Sequence, residues 1–224
     1  MKRRSYDQYC GLAGALDIVG ERWTLLVVRE LMSGPKRYTD VADALRGIGT
    51  SLLANRLKRL ESDGVVARTW LAPPAASTVY QLTETGQELA RALMPLVSWG
   101  LRHAVPPAPG PDTQVRAEWS LLAFTHAVDP AALADIDATY EFQVDNTSAI
   151  LRVQNGQAHV LQRGSETTPD ATFRLDAATV AAIGSGRTSV AEATMDGRIA
   201  VDGDTAVIDA LVAAFASSLQ QAPT

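Results

Sequence analysis

The sequence predicts an α+β chain in two parts, and three observations lead to that expectation. Residues 104–113, Ala-Val-Pro-Pro-Ala-Pro-Gly-Pro-Asp-Thr, hold four prolines, which excludes helix and central strand and makes the stretch a stiff linker. Before it, apolar residues recur at helical spacing. After it, short alternating runs bounded by turn residues read as strands with helices following. At 224 residues the chain is long enough for two compact domains, expected at 1–103 and 114–224.

Charge divides the chain at the same place. Residues 1–104 carry fourteen Lys/Arg against ten Asp/Glu, whereas residues 105–224 carry six Arg and fifteen Asp/Glu. The first part, at +4, suits a polyanion such as double-stranded DNA; the second, at −9, is repelled by one. No run approaches eighteen apolar residues, and Met-Lys-Arg-Arg-Ser-Tyr-Asp at the start has no apolar run behind its charges. A cytoplasmic protein without membrane contact is therefore expected. Cys10 is the single cysteine, so an intrachain disulfide is excluded, and the three histidines have no ligand spacing. Neither metal nor cofactor is expected, and with no nucleophile motif or Gly-rich phosphate loop, neither is catalysis.

Taken in order, Leu12, Leu16 and Val19 mark a first helical segment. After Gly20, Trp23 to Met32 forms a second that is apolar nearly all round, as in a buried element or a subunit contact, and Ser33-Gly34-Pro35 stops it. Thr39 is placed to cap a short helix, Asp40 to Leu45. Beyond Gly47-Ile48-Gly49 a helix begins near Thr50 and runs to Asp63-Gly64, and two short helices joined through glycine form a helix-turn-helix candidate. Val65 to Leu71 and Val79 to Leu82 read as strands around a turn at residues 73–77, a hairpin in the place of a wing. Thr83 then caps a long helix to about His103, with Leu89, Leu93 and Leu96 inward and Pro95 bending it.

The helix from Thr50 carries the chemistry. Leu53, Leu57 and Leu60 fall at i, i+4 and i+7 on an inward face, which turns Ser51, Asn55, Lys58 and Ser62 outward with Arg56 and Arg59 flanking. Such a face fits a major groove, with Ser51 and Asn55 near base edges and Lys58, Arg56 and Arg59 toward phosphates. The competing reading is an ordinary solvated face.

In the second part, residues 115–127 suit a helix bearing Trp119, Leu122 and Phe124. Thr139 to Val144, Ala149 to Val153, Ala158 to Gln162 and Ala171 to Leu175 read as strands of one antiparallel sheet, with turns at Asp145-Asn146 and Asn155-Gly156. Asp176, Ser189 and Asp204 are placed to cap three helices, with a last strand from Arg198 to Val201. A sheet with helices on one face results.

The strings Cys10-Gly11-Leu12-Ala13, Ala15 to Leu26, Arg29-Glu30-Leu31 and Gly34-Pro35-Lys36-Arg37-Tyr38 resemble the opening of the HxlR family of winged helix-turn-helix regulators. The likeness continues through Leu53, Arg56-Leu57, Leu60-Glu61, Asp63-Gly64-Val65-Val66, Val79 to Thr83, Gly86 and Trp99-Gly100. It implies a homodimer held by the first and last helices of this part, with Leu12, Leu16, Leu93, Leu96, Val97 and Trp99 as candidate interface residues and two recognition helices on a two-fold operator. Candidate DNA contacts are Lys36, Arg37, Tyr38, Thr39, Thr50, Ser51, Asn55, Arg56, Lys58, Arg59, Arg68 and Thr78. Two departures stand out. Gly11 occupies a place where the family usually has Pro, and the wing tip at 75–78 lacks a basic residue, leaving Lys36, Arg37 and Arg68 for backbone contacts. In several family members a cysteine placed like Cys10 senses oxidants or electrophiles, and Lys2, Arg3 and Arg4 would favour its thiolate; the alternative is a small buried residue near the dimer seam.

Asp170 to Leu175, Gly184-Ser185-Gly186-Arg187 and Ile199 to Asp204 resemble the sterol carrier protein-like fold, which implies a site for an apolar small molecule or lipid between sheet and helices. Trp119, Leu122, Phe142, Phe173, Ile183 and Phe215 are candidate ligand contacts, with ordinary core as the competing reading. A domain that serves assembly only is the alternative to a sensor.

Overall fold

The computed structural model describes residues 5–73, 76–161 and 168–220. They form two compact units, Met1–Arg91 and Ala92–Thr224, divided within a long helix.

The first unit contains α1 (Gly11–Val19), α2 (Thr24–Leu31), α3 (Tyr38–Ala44), α4 (Thr50–Ser62), β1 (Val66–Leu71), β2 (Ser77–Leu82) and the start of α5 (Glu84–His103). Val27, Val28 and Leu31 of α2 pack with Val41, Leu53, Leu57, Leu60, Val66 and Val79 in its core. The three leucines of α4 are essentially inaccessible, as their spacing requires, and each contributes about 1.5–3 kcal/mol of burial. Helix α2 is less enclosed than its composition suggests, because Leu26 lies at the surface. Trp23 precedes it in the left-handed region at φ 79°.

Helix α3 starts earlier than expected and is not capped by Thr39. Arg37 is its first flanking residue, and the Asp40 carboxylate accepts the Arg37 N–H at 2.9 Å, which leaves Thr39 exposed in the first turn. Strands β1 and β2 pair antiparallel from Val66↔Leu82 to Leu71↔Ser77. Lys36 extends that hairpin through two backbone hydrogen bonds with Tyr80, of 2.9 and 2.8 Å. Thr83 caps α5 as expected: its hydroxyl accepts the Gly86 N–H at 3.1 Å and donates to the Gly64 carbonyl at 2.5 Å. A Cβ on Gly86 would lie 2.2 Å from the Val65 carbonyl oxygen, so only glycine fits there.

In the second unit, α6 (Ala117–Ala127) and a 3₁₀ turn (Pro130–Leu133) precede β3 (Ala138–Val144), β4 (Thr147–Gln154), β5 (Gln157–Leu161) and β6 (Ala171–Leu175). Helices α7 (Ala177–Gly184) and α8 (Val190–Met195), strand β7 (Ala200–Gly203) and α9 (Thr205–Gln220) follow. The sheet order is β5-β4-β3-β6-β7. Asp145, Asn155 and Gly156 take positive φ in the two-residue turns, as tight hairpins demand. One expectation is corrected: β6 runs parallel to β3, with Phe142 beside Phe173 in register, so the sheet is mixed. The last strand also begins later than predicted, because the Arg198 and Ile199 N–H groups donate to the Ala193 carbonyl and close α8 instead.

Candidate functional site

Helix α4 presents Thr50, Ser51, Asn55, Lys58 and Ser62 as an exposed row above the buried leucines. Its start is fixed by α3, since the Tyr38 hydroxyl donates to the Thr50 carbonyl at 2.8 Å. Thr39 is exposed at the same end of α3. The Arg37 Nε donates to the Ser77 hydroxyl at 3.0 Å, which holds an exposed cation beside the first residue of β2. Arg68 is exposed on β1, and Thr78 on β2 is half-buried. Trp70, two residues from Arg68 and so on the same strand face, is 62% exposed; its lone aromatic ring at the end of an alternating strand was the sequence signal.

Three of the residues expected at phosphates have acidic partners within the protein. The Arg56 Nη2 lies 2.5 Å from a Glu21 carboxylate oxygen, and its Nε donates to the Arg22 carbonyl at 3.1 Å. Arg59 takes the other Glu21 oxygen, and its Nη2 donates to the Asp17 carbonyl at 3.0 Å. Both arginines therefore clasp the end of α1 and the turn that follows it, and their side chains are only 13% and 28% exposed. The Asp17 carboxylate in turn accepts the Ser5 hydroxyl at 2.9 Å and the Tyr6 N–H at 3.0 Å. Lys36 is buried: its ammonium lies 3.5 Å from a carboxylate oxygen of Glu30, itself wholly inaccessible, whose other oxygen accepts from Arg29 at 2.6 Å. A carboxylate in that dielectric needs such partners. Glu30 was visible in the sequence only as one acid inside an apolar helix.

Leu12, Leu16, Leu96, Val97 and Trp99 are exposed apolar side chains, and Leu93 is half-buried. Cys10 is exposed at the residue before α1, where the backbone N–H groups of Ala13 and then Leu12 hold its thiol below the usual range. Lys2, Arg3 and Arg4, expected to help, lie outside the described residues.

Of the six predicted ligand contacts, Leu122, Phe142 and Phe173 are buried, and Trp119, Ile183 and Phe215 are half-buried. The Phe142 and Phe173 rings stack at 5.0 Å and 8°, filling each other's faces. Tyr140, alongside, donates its hydroxyl to the Val207 carbonyl at 3.1 Å; burial, then the Asp170 charge, push its pKa up to about 12, so it remains a donor. An open depression of about 560 Å³, lined by Pro109, Pro111, Val115, Asp145 and Thr147 among others, touches none of the six. Among the described residues no group of three potential metal ligands comes together, and no helix is long and apolar enough to cross a membrane.

The model of HxlR-like helix-turn-helix proteins matches residues 18–107, and that of the SCP-2 sterol transfer family matches residues 120–216. The HTH-type transcriptional regulator YodB of Bacillus subtilis is 32% identical over 95 residues, 42% of this chain and 85% of YodB. An uncharacterized HTH-type transcriptional regulator of Mycobacterium tuberculosis is 37% identical over 102 residues, 46% of this chain but only 63% of that relative's length. Among solved structures, reduced YodB is 31% identical, covering 44% of this chain and 98% of its own, with a TM-score of 0.39. That of the HTH-type regulator ytcD is 28% identical over 42% of this chain and 96% of its own, with a TM-score of 0.39. With the helix-turn-helix and mixed sheet in place, the chain belongs to the HxlR-like helix-turn-helix family of transcriptional regulators and carries an SCP-2 sterol transfer family domain in its second half.

Proposed function

We propose that this protein regulates transcription in the cytoplasm by binding double-stranded DNA as a homodimer through α4, under the control of an apolar small molecule or lipid in the second domain. The observation that carries the reading is the exposed row Ser51, Asn55 and Lys58, seated on leucines that cannot move without opening the core. Arg37, Arg68 and Thr78 supply further backbone contacts, and the exposed apolar residues of α1 and α5 supply the dimer seam. In this reading residues 1–103 bind DNA and dimerise, 104–113 link, and 114–224 sense, with the half-buried Trp119, Ile183 and Phe215 as the candidate contacts still open to an apolar molecule.

The test is retention of fragmented genomic DNA by the full chain across a salt series, followed by thermal melts with fatty acids and sterols. Salt-sensitive retention of a fragment subset, and a ligand that raises the melting point and alters retention, are expected. Retention that ignores salt overturns the DNA reading; a domain that responds to no apolar molecule, and whose deletion abolishes dimerisation, is a scaffold instead. A second reading, a thiol switch at Cys10, is favoured by its exposure and by the lowering of its thiol pKa by the main chain at the start of α1.

A further inference from the structure

The cations of α4 are not equivalent. Lys58 is exposed on the row that faces outward, while Arg56 and Arg59 share the Glu21 carboxylate, and the Arg59 Nε also lies 4.0 Å from an Asp63 carboxylate oxygen. That carboxylate is held where it is by the chain around it. A Cβ on Gly20 would lie 2.5 Å from the Leu16 carbonyl oxygen, so the chain turns tightly at the end of α1 and delivers Glu21 against α4. Each arginine also donates to a main-chain carbonyl close by, Arg56 to that of Arg22 after α1 and Arg59 to that of Asp17 in the last turns of α1. Neither guanidinium can turn to a phosphate without losing both a carboxylate and a carbonyl.

We infer that Glu21 is an internal counterion that withholds Arg56 and Arg59 from the DNA backbone and so raises the share of binding that depends on sequence. The inference rests on the proposed insertion of α4 into DNA. Its physics is that of counterion release: a cation that neutralises a phosphate strengthens binding to every sequence alike and steepens the salt dependence, whereas one already neutralised by protein does neither. With Glu21 in place, phosphate contact from α4 falls to Lys58, and discrimination falls to Ser51 and Asn55. Glu21 touches no DNA in this account; it is a positioning residue that sets the specificity ratio through the two arginines.

The experiment uses the full chain and two duplexes, an enriched genomic fragment and a random sequence, with affinity measured against salt. Glu21→Gln keeps the shape and removes the charge. On the random duplex its log–log slope steepens by about 0.9 for each arginine released, and the ratio of fragment to random affinity falls. In the wild-type background Arg59→Gln leaves the slope unchanged, because its guanidinium is already held between Glu21 and Asp63; in the Glu21→Gln background it reverses part of the gain. A folded Glu21→Gln protein with the wild-type slope overturns the inference. So does a flattened slope in Arg59→Gln alone, which decides the matter should Glu21→Gln fail to fold. Wild type that binds no duplex in a salt-dependent way overturns the proposed function and this inference together, whereas wild type that binds normally beside an unaltered Glu21→Gln overturns the inference only.

Discussion

The Tyr38 hydroxyl and the Thr50 carbonyl stand 2.8 Å apart, and this single hydrogen bond joins the first turn of α3 to the first residue of α4. Tyr38→Phe keeps the ring and removes the bond, so it is expected to lower unfolding stability by about 1 kcal/mol in a denaturant titration. Operator affinity, measured in parallel, should fall further than that loss explains, because the proposed insertion of α4 puts its start nearest the bases.

Asn55→Ala and Lys58→Ala should separate cleanly. Both side chains are exposed on α4, but an amide reads base edges and an ammonium reads phosphate. Asn55→Ala is expected to relax sequence preference in a binding-site selection. Lys58→Ala should weaken every duplex and flatten the salt slope by about 0.9. The same loss from both, uniform over sequences, would refute the division.

Leu57 is 1% exposed at the centre of the inward face. Leu57→Ala leaves a cavity beneath the recognition surface and should cost about 2–5 kcal/mol in equilibrium unfolding, with DNA binding lost in step with folding.

Asp176 accepts the Thr179 N–H at 2.6 Å at the start of α7, and the Thr179 hydroxyl first, then that N–H, with a smaller part from the Arg198 charge, hold its carboxyl below the usual range. A lowered folded-state pKa stabilises the fold above the unfolded pKa, and the contribution is lost as pH falls through the folded value. Asp176→Ala should therefore cost about 1 kcal/mol at neutral pH, and the gap to wild type should narrow as unfolding is measured at progressively lower pH.

Alkylation of Cys10 should run faster than that of a model thiol near neutral pH, since the Ala13 and Leu12 N–H groups favour the thiolate. If the thiol is a switch, diamide changes DNA retention by wild type and not by Cys10→Ser; identical responses end that reading.

What was legible in the sequence was local. The spacing of Leu53, Leu57 and Leu60 fixes one face of α4 by helix geometry alone, and Thr83, Asp176, Ser189 and Asp204 announce helix starts because capping needs only neighbours three residues away. What was hidden depended on partners far along the chain. Nothing in Arg56 or Arg59 says that Glu21, more than thirty residues earlier, occupies them. Lys36 reads as one of a basic pair until the fold brings Glu30 beneath it. Likewise, β6 looks like any short apolar strand, and its parallel seat beside β3 follows from the sheet as a whole.

Gly86 has only a hydrogen to set against the Val65 carbonyl. Main chain thus rests on main chain where α5 begins, with no deformable layer of rotamers between them. A displacement arriving along that end of the helix cannot be absorbed by side-chain adjustment, and the residues leading into the wing must travel with it.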